Sequence, residues 1–96
     1  RYYLDLTATD LQSQTAGAAL YRVTGKLQNV GGSDAEKLRL LVTAYDDQDR
    51  VVAVRQANLP VSVLRAKAIT PFEVELTLIG SSVASYSVQA QGLRVE

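Results

Sequence analysis

The sequence predicts an all-β fold, a two-sheet antiparallel β-sandwich of about seven strands. Three observations predict it. Short segments of alternating apolar and polar residues recur along the chain, with turn residues between them. Those segments are rich in valine, leucine, tyrosine and threonine, side chains that suit a pleated, half-buried surface. The alternation of strands with helices that a parallel sheet requires is missing.

Residues 2–9 set Tyr2, Leu4 and Leu6 against Tyr3, Asp5 and Thr7 and read as a first strand. Residues 10–19 are small and polar, and Gly17 weakens any helix there, so a loop is expected. Residues 20–29 alternate clearly. Tyr21, Val23, Gly25 and Leu27 face one way, and Arg22, Thr24, Lys26 and Gln28 the other. Gly25 inside this strand predicts a bulge or a close backbone approach. Residues 30–34 read as a turn or short loop.

Residues 35–45 fit two templates. Ser33 and Glu36 have capping-box spacing, and Leu38, Leu41, Val42 and Tyr45 form a helical stripe. As a strand, Leu38, Leu40, Val42 and Ala44 alternate with Lys37, Arg39 and Thr43. Strand is the better reading, because strand-like segments flank the region and no glycine cap follows Tyr45. The polar turn Asp46-Asp47-Gln48-Asp49 leads into a valine-rich segment, Arg50–Leu59, and Pro60 should break pairing. Val61–Leu64 reads as a short edge segment and 65–67 as a turn. Residues 72–79 point Phe72, Val74, Leu76 and Leu78 inward, with Glu73, Glu75 and Thr77 outward. After a turn at 80–82, residues 83–90 make a last strand with Tyr86, Val88 and Ala90 on one face.

Ninety-six residues make a single domain, residues 1–96. Ten basic and ten acidic residues cancel, and the basic ones form no run. That excludes the electrostatic footprint of nucleic-acid binding. No run of eighteen apolar residues is present to insert into a membrane. Absence of methionine, with Arg1 at the start, leads to the expectation of a segment excised from a larger chain.

The chain resembles the FxLYD domain family of bacterial sandwich modules. The matching segments are Val23–Asn29, Val42–Asp46, Arg50–Val52, Phe72–Val74 and Tyr86–Val88, so the resemblance covers about residues 20–92. Val42 stands at the Phe position of the motif and Ala44 at the Leu position, while Tyr45-Asp46 stands intact. Asp49 occupies a turn position where the family usually has glycine. The resemblance implies an immunoglobulin-like or fibronectin type III-like sandwich and an extracytoplasmic setting, in the bacterial envelope or secreted. It assigns no catalytic residues. Val42, Ala44, Tyr45, Asp46, Phe72 and Tyr86 are its motif positions, and the role it implies for them is structural.

The chemistry of the side chains points the same way. Without histidine or cysteine, acid–base or nucleophilic work would fall to carboxylates. Asp46, Asp47 and Asp49 lack the frame of a calcium loop and read as a hairpin turn in which aspartates bond their own backbone. Gly31-Gly32 lacks the lysine and hydroxyl residue of a phosphate cradle. The expectation is therefore no enzyme, no metal and no cofactor. The expected role is that of a spacer or docking module whose partner is a protein or envelope component, with the domain monomeric in isolation. The alternative is a specific ligand-binding domain for a glycan, peptide or protein, using exposed tyrosines or a sheet edge.

Overall fold

The computed structural model describes residues 5–17, 19–78 and 82–95. Among these are seven strands: β1 (Leu6–Ala16), β2 (Leu20–Asn29), β3 (Ala35–Tyr45), β4 (Val51–Gln56), β5 (Val63–Leu64), β6 (Ile69–Thr77) and β7 (Ser85–Arg94). They form two antiparallel sheets. The first has the order β1-β2-β6. In the second, β3 is central, with β4 and the short β5 along one edge and β7 along the other. The all-β sandwich expected from the sequence is the fold observed.

The core lies between the sheets and follows from period-two alternation. Opposite residues of an antiparallel ladder share a face. In the first sheet Tyr21 pairs with Leu76, Val23 with Val74 and Leu27 with Thr70, and all six are buried. In the second, Leu40, Val42 and Ala44 of β3 are fully buried. The strand reading of 35–45 therefore holds. A helical stripe would have buried Leu41 and Tyr45, which are instead half-buried on the outer face. Phe72, Leu76 and Leu78 are buried as expected, each such side chain contributing about 1.5–3 kcal/mol.

Two bulges share one construction. Asp10 and Leu11 of β1 together oppose Gly25, and Lys37 and Leu38 of β3 together oppose Gly92. In both, the first bulged residue is left-handed (Asp10 φ 51°, Lys37 φ 52°). In both, the following leucine packs over the bare glycine. A methyl at Gly25 would lie 2.8 Å from Leu11 Cδ2, and one at Gly92 would lie 3.2 Å from Leu38 Cδ2. The close approach expected at Gly25 is present.

Several boundaries move. Residues 10–16, expected as loop, continue β1, because the chain is held by its ladder to β2 rather than by apolar side chains of its own. The segment expected at 50–59 pairs over Val51–Gln56 alone. β6 begins before Phe72 and contains Pro71, tolerable because β6 is an edge strand. β7 runs on to Arg94. The readings of Tyr2, Tyr3 and Leu4, of Ile79 and of the turn residues Gly80 and Ser81 lie outside the described residues.

One end of the sandwich is tied by polar groups. Asn29 is fully buried. Its Nδ2 donates to the carbonyls of Ser33 (2.8 Å) and Leu64 (3.0 Å), and its Oδ1 accepts from the Gly31 amide (3.0 Å). The Ala66 amide donates to Asp34 Oδ1 at 2.9 Å, and Lys67 Nζ donates to the Val30 carbonyl at 2.7 Å. A buried amide satisfied in this way fixes the 30–34 loop against the β5–β6 turn.

Candidate functional site

The two sheets meet along two sides, and these sides differ. Along one, β4 faces β6. Arg55 of β4 pairs opposite inward Val42, and its Nη1 reaches across to donate to the Glu75 carbonyl of β6 at 3.3 Å. The free edge of β6 carries Pro71, Glu73 and Glu75. Arg22 covers the outer face beside it, with Nη2 2.7 Å from Glu75 Oε2 and Nε 3.8 Å from Glu73 Oε1. The hydrogen bond to Glu75 raises the already high pKa of Arg22.

Along the other side, β1 faces β7. The sheets touch where a methyl on Gly92 would meet Leu6 Cδ1 at 2.9 Å. Farther along they part. Ser13 and Thr15 pair opposite Val23 and Tyr21, so they share the inward face, yet both are exposed. Leu11 is 40% exposed. Across the gap, Tyr86, Val88 and Ala90 are half-buried, while their ladder partners Ala44, Val42 and Leu40 are fully buried. Among the described residues β7 pairs with β3 alone. Its residues 85–93 include no charge and no proline, nor do residues 11–16 of β1. The result is a neutral, partly apolar seam bordered by a ten-residue strand edge.

The outer face of the β4-β3-β7 sheet is uncharged over most of its area. Gln56 and Gln89 flank Leu41, and Gln91 flanks Arg39. These five residues line a dimple of about 90 Å³. Tyr45 Oη lies 3.3 Å from Ser87 Oγ on the same face. A concavity of about 740 Å³ is an open cleft lined in part by Asp10, Leu11, Lys26, Asn58, Phe72 and Glu73. Its Asp10 and Lys26 pair with each other at 3.4 Å.

The positions that the resemblance picks out fall into three places. Val42, Ala44 and Phe72 are core. Tyr86 sits at the seam with its ring edge-on to Tyr21, the centroids 6.1 Å apart. Tyr45 ends β3, and Asp46 begins the β3–β4 turn. Asp46 Oδ1 accepts from the amides of Gln48 and Arg50, each at 2.9 Å, and Oδ2 accepts from Arg50 Nε at 2.9 Å. The Arg50 amide first, then that of Gln48 and the guanidinium, hold the Asp46 carboxyl below the usual aspartate value, against the opposing effect of burial. Asp49, where the family usually has glycine, is left-handed at φ 60°. Among the described residues, no three carboxylates converge as a metal site. Tyr21 is buried and Tyr45 and Tyr86 are half-buried, so these three make no exposed tyrosine platform.

The sequence reading did not single out Arg55, Ser13, Thr15 or the three glutamines. The lack of charge over 11–16 and 85–93 was a visible signal, but placing both on one side of the sandwich takes the topology.

No protein-family model matches the chain, and no curated protein or solved structure does so either.

Proposed function

We propose that this domain is a non-catalytic spacer or docking module of a larger bacterial envelope or exported protein. One observation carries the docking half of this reading: a long, neutral strand edge, unpaired among the described residues, beside inward side chains left partly exposed. Native sheets usually protect such edges with charge, proline or cover, and the opposite side of this sandwich carries the first two. The resemblance to FxLYD domains supports the envelope setting. The spacer half rests on a body about 45 Å long and 21 × 18 Å across, held by ladder hydrogen bonds along its length.

Cell fractionation with intact-mass measurement of the native protein tests this reading. A species well above 10.4 kDa in the membrane or extracellular fraction is expected. A free cytosolic protein of that mass would defeat it. A second reading, specific binding of a glycan or peptide, is favoured by the outer-face glutamines, whose amides both donate and accept. The two readings separate by where a bound ligand shifts backbone resonances, at the outer face or along the β7 edge.

A further inference from the structure

We infer that the β1–β7 seam takes an uncharged, extended segment of a partner protein, added as a strand to the free edge of β7. The inference rests on the docking reading above and names the chemistry of the partner. Three observations define the occupant. Among the described residues the edge of β7 away from β3 has no strand partner, so its backbone donors and acceptors are open to an extended strand, which satisfies them as a helix cannot. On the β7 side of the seam, the inward Tyr86, Val88 and Ala90 are apolar and half-buried. Inward positions of the added strand are therefore apolar, at every second residue. Finally, both rims are neutral, with Gln, Ser and Thr at 11–16 and 85–93 and no ion partner for a charged segment. A charged side chain entering the seam would lose water and gain no counter-charge, which selects a neutral strand.

The seam also limits the occupant's length. It closes at the Leu6–Gly92 contact, and farther along the inward Ser13 and Thr15 of β1 are exposed. The added strand thus lies alongside about residues 85–91 of β7. Its outward positions join Ser87, Gln89 and Gln91 on the outer face, extending a neutral surface.

The test uses the full 96-residue chain and a displayed library of random octapeptides. Enriched peptides are expected to lack charge and proline and to alternate apolar with polar residues. Bound to the domain, they should slow amide exchange in β7 and shift resonances at 85–91 and 11–15. Val88→Lys, which points a charge into the seam, should weaken binding at least ten-fold. The double variant Gln89→Lys/Gln91→Lys changes exposed side chains that the core does not need, so it tests the same edge in a folded domain and should also weaken binding. Lys26→Gln, on the other sheet, should leave it unchanged. Enrichment of charged or proline-rich peptides, shifts confined to Leu41 and its glutamines, or no enrichment would each overturn the inference. So would a stable dimer of the domain that Val88→Lys dissolves, since the edge would then belong to a second copy. None of these failures bears on the fractionation result, so the module reading stands or falls separately.

Discussion

On the β4–β6 side of the sandwich, an arginine from one sheet holds a carbonyl of the other, and the exposed strand edge carries a proline and two glutamates. On the β1–β7 side, the sheets touch at Leu6 and Gly92 and then part over serine, threonine and glutamine. Both sides border the same core, built from the same alternation. The difference lies in edge chemistry. Charge and proline discourage strand addition, and a regular neutral strand does not. A domain can thus be closed to association along one side and receptive along the other without any change in its packing.

The largest effect expected from breaking this comparison is at Phe72. It is buried on the closed side, and Phe72→Ala should cost about 3–5 kcal/mol in denaturant unfolding. Val88 is half-buried at the open seam, and Val88→Ala should cost about 1 kcal/mol, since it removes two methyl groups that already touch solvent. Equal losses at the two positions would mean that the seam is as tightly packed as the core. A loss at Phe72 below about 1 kcal/mol would mean that the inward face of β6 is misassigned.

A smaller effect separates the two bulges. At Gly25 an added methyl meets the Phe72 ring, with Cζ at 2.8 Å, as well as Leu11. The ring is held by the core, so Gly25→Ala should cost about 1–3 kcal/mol. At Gly92 the nearest atoms are the ends of Leu6 and Leu38, which can give way. Gly92→Ala should cost below about 1 kcal/mol. Paired melts of the two variants check the order, and a reversed order would mean that the Leu6 contact, not Phe72, is the rigid one.

What was legible in the sequence follows from where each signal resides. β2 is found at 20–29 as read, because its inward Tyr21, Val23 and Leu27 alternate with polar residues over its whole length. At 35–45 the helix and strand templates both fit, and the flanking strand-like segments and the missing glycine cap decide for strand, which is β3. Residues 10–16 were not legible as strand, since inward Ser13 and Thr15 carry no hydrophobic signal and the strand is held by a neighbour's backbone. Asn29 read as an ordinary residue before a turn, because one of its partners is 35 residues away. The open seam was legible as missing charge but not as a place. Which strands become edges is a property of the whole topology.

The smallest effect expected concerns the turn that delivers β4 to the closed side. Asp46 binds two backbone amides and the Arg50 guanidinium, so the folded chain holds its carboxylate more firmly than the unfolded chain does. Its folded pKa is the lower of the two. The stabilisation is therefore complete above the ordinary aspartate value. It fades as pH falls through that value and is gone below the depressed one. Asp46→Asn keeps an acceptor oxygen but cannot titrate, so its stability should fall less steeply than wild type between about pH 5 and 3. The other carboxylates are common to both proteins, and the difference between the two profiles isolates Asp46. Because the Arg50 Nε bond to Oδ2 is lost and the remaining acceptor is uncharged, amide exchange at Gln48, Arg50 and along β4 should quicken in the variant while β7 is unchanged. Superimposable pH profiles would show that the turn is held by its backbone bonds alone, such as Asp46 N to the Arg50 carbonyl at 2.9 Å. Quickened exchange in β7 as well would show that the two sides open together, and the contrast between a closed and a receptive side would not survive.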